Sequence, residues 1–264
     1  MKKRIFSAAI ILAIVIPLLI VGSWPFALGV GCVAILAFKE VIDLMEKEQK
    51  LPTLIKLLAL ISLLYIIFYN TSDLFKTFNA SYQTFALLLL FPLTPSVFVK
   101  KGQYTTKDAF YLIGWIVLLG MFFNSLLVIV NNNLNLLIYL ILITALNDTF
   151  ALFFGMLIGK HKLLKDVSPK KTIEGSIGGL AIGSFVGIMF YINVINPTIS
   201  LSRLIIGTIA LSVVGQIGDL LFSKIKREHK VKDFSNLIPE HGGVLDRLDS
   251  LIFVLIAFLL LFQI

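Results

Sequence analysis

The chain has 264 residues, of which 58% are apolar and 14% charged, with a formal net charge of +8. Soluble domains carry about 25% charged residues, so this composition excludes a pair of water-soluble domains and points to one helical bundle in a bilayer. The lone cysteine, Cys32, lies inside an apolar run, which excludes an intramolecular disulfide and leaves it as a small core residue.

Lys2-Lys3-Arg4 precedes an apolar stretch from Ile5 to Val21, the order found in a cleaved secretory signal. The stretch is long and no A-x-A site follows it, so it is read as a retained first span. Hydropathy then predicts nine spans in all, at roughly 5–23, 25–45, 52–69, 82–99, 109–130, 134–158, 175–195, 203–222 and 250–263. The last is short for a full crossing and would tilt or thin the bilayer. The expected fold class is therefore all-α, a polytopic membrane helical bundle with its N-terminus in the cytoplasm. Residues 1–130 would be scaffold helices, and 131–264 would be helices with cytoplasmic catalytic loops, within one integral membrane unit.

Basic residues test the span count, because cytoplasmic loops concentrate Lys and Arg. With the N-terminus inside, only Lys76 and Arg203 fall outside, so 21 of the 23 basic residues obey one topology. The positive charge is explained by insertion and by anionic headgroups, and needs no nucleic acid. Outer connections are sparse turns. No internal repeat is found, which weighs against transporters built from repeated halves.

Three places carry unexpected chemistry. In the sixth span Asn147-Asp148 falls near mid-membrane, where an ionisable group is a functional hypothesis by default; Gln216 of the eighth span is a candidate neighbour. The loop before the seventh span contains Ser168-Pro169-Lys170-Lys171-Thr172-Ile173-Glu174-Gly175. Ser168 and Pro169 suit an N-cap and first helical position. That would place Lys170 and Lys171 in the first turn, where cations oppose the helix dipole unless they hold an anion; the alternative is that they only set topology. The third place runs from Asp219 to Ser250. Between Ser223 and Asp249 it holds six basic and five acidic side chains, and a solvated positive loop is the plain alternative.

Asp246, Arg247 and Asp249 run straight into an apolar helix, where carboxylates are costly without a cation. Asp246 and Asp249 share a helical face. Carboxylates beside Lys and Arg suit magnesium with phosphates. Gly242-Gly243 lets backbone approach a ligand, or merely permits a turn. Other signals are refused. Gly155 to Lys160 is one residue short of a P-loop, no zinc spacing or Ser-His-Asp arrangement exists, and the paired glycines 155/159, 175/179 and 183/187 read as close helix packing.

Ser223, Lys226-Arg227, Lys232-Asp233, Pro239, His241-Gly242-Gly243, Asp246-Arg247 and Asp249 together resemble the signature of the phosphatidate cytidylyltransferase (CDP-diacylglycerol synthase) family, S-x-x-K-R, K-D, then P-x-H-G-G-x-x-D-R-x-D. Ser168 to Thr172, Glu174-Gly175 and Gly218-Asp219-Leu220 are similar to its other recurrent segments. The likeness covers about the last 120 residues. It departs in the sixth span, where the family tends to show Asp, a small residue and an aromatic pair, against Asp148-Thr149-Phe150-Ala151-Leu152-Phe153 here.

The resemblance implies transfer of the cytidylyl group of CTP to phosphatidic acid, giving CDP-diacylglycerol and pyrophosphate. It implies catalytic roles for Asp219, Asp246, Lys226, Arg227 and Arg247. Substrate binding would fall to Ser168, Lys170, Lys171, Thr172, Glu174, Ser223, Lys232, Asp233, His241, Gly242, Gly243 and Asp148. Asp219, Asp246 and Asp249 would hold one or two Mg²⁺ ions. The expected partners are CTP, phosphatidic acid, the bilayer and a second copy of the chain; the expected location is a bacterial plasma membrane with the site facing the cytoplasm. The alternatives are a CTP-dependent polyprenol or phytol kinase, which would release CDP, and a membrane transporter.

Overall fold

The computed structural model describes residues 13–69, 82–99, 103–238 and 242–262. Residues 13–21 are helical; the remainder of the expected first span lies outside the described residues. There follow α1 (Ser23–Met45), α2 (Thr53–Phe68), α3 (Tyr82–Leu93), α4 (Pro95–Phe98), α5 (Thr106–Asn132), α6 (Leu134–Ile158), α7 (Ile173–Phe190), α8 (Leu201–Glu228) and α9 (Leu245–Phe262), with a π-helical turn, Tyr191–Ile195, continuing α7. Between α6 and α7, β1 (Lys162–Leu164) and β2 (Ser168–Thr172) form a short antiparallel hairpin. Among the described residues, α1, α5, α6, α8 and α7 with its π-turn are long and apolar enough to cross a membrane. The chain is a helical membrane protein, and among the described residues the hairpin departs from the all-α expectation.

Four boundaries differ from the hydropathy reading for local chemical reasons. The run at 82–99 breaks at Thr94 because Pro95 has no N–H and its ring crowds the preceding turn; the Tyr104 hydroxyl donates to the Pro92 carbonyl at 2.8 Å. Helix α8 continues through Glu228, well past the apolar residues, since Lys226 and Arg227 in its last turn complement the helix dipole. Helix α9 starts at Leu245, so Asp246 and Asp249 are helical.

The fourth corrects an expectation. Ser168 does not cap a helix, and Lys170 and Lys171 are not in a first turn: both lysines lie on β2. Thr172 is the N-cap, its hydroxyl accepting from Gly175 N at 3.2 Å. The first turn carries Glu174, the charge the helix dipole favours there.

Two compact units emerge, one of Met1–Val128 with Asp233–Leu245, the other of Ile129–Lys232 with Asp246–Ile264. In the first, Ala34, Ala37, Val41 and Leu44 of α1 and Ile55, Ala59, Leu63 and Ile67 of α2 are sealed from the surface. Polar side chains meet the open ends of helices. Asn124 Nδ2 donates to the carbonyls of Ile67 and Tyr69 at 3.0 and 2.9 Å, where α2 ends. Thr105 and Asp108 form a reciprocal capping box at the start of α5.

The second unit is built on an unusually close pair, α6 and α7. Glycines at four-residue spacing, Gly175, Gly179, Gly183 and Gly187, are buried on one face of α7, as the small-xxx-small pattern predicts. A Cβ at Gly179 would lie 2.3 Å from the Asn147 carbonyl, and one at Gly175 would lie 2.4 Å from that of Ala151. These are backbone atoms that cannot swing aside. Gly179→Ala is therefore expected to destabilise the protein by about 1–3 kcal/mol, read as a lower thermal midpoint in detergent. Gly114→Ala, which meets nothing within 4 Å, is expected to be neutral or to stabilise by up to about 1 kcal/mol.

Candidate active site

Five elements of the second unit, α7 through Ser176 among them, bring polar residues into one cavity of about 340 Å³. Helix α6 contributes Asp148, β2 contributes Ser168, Lys170, Lys171 and Thr172, α8 contributes Gln216 and Asp219, and α9 contributes Asp246 and Asp249. Helical spacing explains the sharing: Gln216, Asp219 and Ser223 repeat at three and four residues on α8, as Asp246, Asp249 and Ser250 do on α9. Successive side chains alternate faces on extended backbone, yet both Lys170 and Lys171 are among the residues that line the cavity.

The carboxylates are held by specific partners. Lys171 Nζ binds Asp219 Oδ2, with side-chain exposures of 26% and 20%, and Ser223 Oγ donates to Asp219 Oδ1 at 3.3 Å. Lys226 Nζ lies 2.8 Å from Asp246 Oδ1, the two side chains 11% and 4% exposed. Ser250 Oγ donates to Asp148 Oδ2 at 3.4 Å. Below them Gln216 is fixed by three hydrogen bonds, donating to Asn147 Oδ1 at 2.8 Å and to the Ser176 carbonyl at 2.9 Å while accepting from Ser176 Oγ. The expected proximity of Gln216 to the Asp148 region is thus seen as a contact with Asn147, its neighbour in sequence.

Eight of the expected site residues line this cavity: Asp148, Ser168, Lys170, Lys171, Thr172, Asp219, Asp246 and Asp249. Lys226 and Ser223 stand one hydrogen bond behind it. The rest are placed elsewhere. Arg227 is exposed and donates to the carbonyls of Val167 and Val231 at 3.5 and 3.3 Å, tying the hairpin tip to the end of α8. Glu174 accepts from the backbone N–H groups of Lys160 and His161 and pairs with His161 Nδ1 at 2.6 Å, so it closes the chain leaving α6. Arg247, Lys232 and Asp233 are exposed and are not among the cavity-lining residues. Gly242 and Gly243 belong to the first unit, and His241 lies outside the described residues. Sequence reasoning missed Ser176, a small hydroxyl one turn after Thr172 in a glycine-rich helix, and Leu163, whose strand was not foreseen.

The donor chemistry fits a hard divalent cation: four carboxylates and no sulfur or imidazole line the cavity. Among the described residues, no three such groups converge on one point as the side chains stand, and lysines pair with Asp219 and Asp246. Formally, four negative charges face Lys170 and Lys171 on the wall and Lys226 behind it.

Known proteins resemble this chain over nearly its whole length. The cytidylyltransferase family profile matches residues 2–264. A phosphatidate cytidylyltransferase of Staphylococcus haemolyticus is 35% identical over 258 residues, covering 97% of this chain and 96% of that protein. The protein of the same name from Bacillus subtilis is 32% identical over 258 residues, covering 97% and 95%. One from Staphylococcus saprophyticus is 34% identical over 256 residues, covering 97% and 96%. The likeness therefore extends well beyond the signature near the C-terminus, and the chain belongs to the cytidylyltransferase family.

Proposed function

We propose that the chain transfers the cytidylyl group of CTP to phosphatidic acid, releasing pyrophosphate and forming CDP-diacylglycerol. The observation that carries this reading is the single cavity in which carboxylates from α6, α8 and α9 meet the paired lysines of β2. The relatives named phosphatidate cytidylyltransferase support the choice of substrates.

The chemistry asks little of a protein base. A phosphate monoester is anionic near neutral pH, so an oxygen of the lipid phosphate attacks the α-phosphorus of CTP. A new P–O bond forms as the bond to the β-phosphate bridging oxygen breaks, and pyrophosphate leaves. What the site supplies is charge balance and alignment. Lys170 and Lys171 are the cations on the wall for phosphate oxygens, with Lys226 behind Asp246. Arg227 and Arg247 are exposed and outside the cavity lining, so a role for them on phosphate oxygens is supported by the family resemblance alone. Asp219 and Asp246 would hold magnesium, with Asp249 as a ligand or an orienting partner and Asp148 on the same wall. Magnesium, when bound, offsets the charge that accumulates on the phosphates.

The setting follows from the substrates: one is a lipid, the other is water-soluble, and their phosphates meet at headgroup level. Nine spans with the N-terminus inside would put β2 and the α8–α9 connection at the inner face, as the 21 obedient basic residues imply. A bacterial plasma membrane, with the site open to the cytoplasm, completes this reading.

Product analysis tests it. Purified protein given CTP, phosphatidic acid and Mg²⁺ is expected to yield CDP-diacylglycerol and pyrophosphate in equal amounts. Release of CDP with a newly phosphorylated lipid would identify a lipid kinase instead, and no lipid product at all would defeat both.

A further inference from the structure

Helix α9 begins without a capping side chain of its own, since Val244 stands where Ser, Thr, Asp or Asn would satisfy the first backbone N–H groups. Those groups are met from another helix. Glu40 of α1 accepts from Val244 N at 2.8 Å through Oε1 and from Leu245 N at 2.9 Å through Oε2. Ser235 Oγ donates to the same Oε1 at 2.6 Å. Glu40 is only 3% exposed, and a carboxylate so buried is tolerable because three donors and a helix N-terminus compensate it.

The paired glycines belong to this arrangement. A Cβ on Gly243 would lie 2.5 Å from Glu40 Oε1, so only glycine lets the carboxylate reach the helix start. Gly242 has a φ of 81°, in the left-handed region that favours glycine. Ile238 N donates to the Gly242 carbonyl at 2.9 Å, closing the turn that leads into α9. The anion at this helix start is therefore one of the protein's own side chains.

We infer that Glu40 is a positioning residue for the reacting carboxylates: its two oxygens, bound to consecutive N–H groups of Val244 and Leu245, fix the height and rotation of the α9 turn that carries Asp246 and Asp249. Asp246 follows Leu245 directly, and Asp249 comes one turn later. Both of these first N–H groups of the helix are held by one carboxylate, so its first turn is fixed at two points rather than one. The inference rests on the reading of Asp246 as a site residue.

Glu40→Gln tests it, because the amide keeps the volume and one acceptor but turns an NH₂ toward a backbone donor. In the full-length purified protein, kcat is expected to fall about ten- to a hundredfold, with KM for CTP within about a factor of two. Half-saturating Mg²⁺ is expected to rise about tenfold, as is the Mn²⁺ dissociation constant measured by electron paramagnetic resonance without substrates. Ser235→Ala, a loop change remote from any helix interior, is expected to move the same quantities in the same direction by about a third as much on a logarithmic scale.

A merely structural Glu40 would lower the thermal midpoint and leave Mn²⁺ affinity and kcat of the folded protein at wild-type values, which overturns the inference. If Glu40→Gln yields no folded protein, Ser235→Ala decides by the same criteria. An Asp246→Asn arm separates the two ideas: loss of activity there with no effect at Glu40 sinks only the positioning role, while full activity in Asp246→Asn sinks the site reading beneath it.

Discussion

Asp246→Asn is expected to lower kcat for CDP-diacylglycerol formation by about a hundredfold or more, the upper range for losing a group that holds or orients a metal. Asparagine keeps the shape of aspartate and an oxygen for Lys226, whose Nζ lies 2.8 Å from Asp246 Oδ1, but it removes the negative charge. Two consequences separate experimentally. The cavity loses a carboxylate, which kinetics reads. Lys226, with 11% side-chain exposure, loses its paired charge in a nearly dry place, and breaking such a pair costs about 3–5 kcal/mol. Thermal unfolding in detergent reads that second effect. Replacing both residues, Lys226→Met with Asp246→Asn, removes both charges and is expected to bring stability back toward wild type while kcat stays low. Normal kcat in Asp246→Asn would remove this residue from the reaction.

Lys171→Ala carries the second large effect. Its ammonium binds Asp219 on the cavity wall, so it neutralises a carboxylate and stands where a phosphate oxygen would be held. A hydrogen bond to a charged group contributes about 1.5–3 kcal/mol, which corresponds to a loss in kcat/KM of about ten- to a hundredfold. Steady-state kinetics over CTP concentration checks this. Lys224→Ala is the control, because Lys224 is exposed and pairs only loosely with Glu228, at 3.8 Å and 61% and 62% exposure; exposed pairs contribute little. Equal losses in both variants would mean that general positive charge, rather than Lys171 in its cavity, supports catalysis.

The legible part of the sequence was the part written in hydropathy and spacing. Apolar runs located α1, α2, α5, α6, α7 and the start of α8 to within a few residues, and three- and four-residue spacing put Asp246 beside Asp249 on one helical face. Glycine spacing gave the close approach of α6 and α7. Hydropathy failed where polar residues continue a helix or break a rule by local chemistry. The last turn of α8 was hidden because Lys226 and Arg227 read as loop, although cations are favoured at that helix end. The Ser168-Pro169 pair resembled a helix start, but Thr172 made the better cap, so the lysines went to a strand.

Glu40 was the least legible residue of all. A single glutamate beside Lys39 near the end of an apolar run looks like an interfacial charge. Its partners, Ser235, Val244 and Leu245, lie some 200 positions away in the chain. No local pattern announces such a contact. The signal present in the sequence was indirect: two glycines before a helix that lacks a capping residue. That pair invited a reading as a cradle for a ligand anion, and the structure fills the same role with a side chain.

Electron paramagnetic resonance of Mn²⁺ added with CTP to the purified protein tests the central claim most directly. A bound Mn²⁺ signal with phosphorus couplings from the nucleotide is expected for the wild-type chain, and both the binding and the couplings are expected to be lost in Asp246→Asn and Asp219→Asn. A Mn²⁺ signal with the same affinity and the same phosphorus couplings in all three proteins would contradict the placement of metal and triphosphate in this cavity.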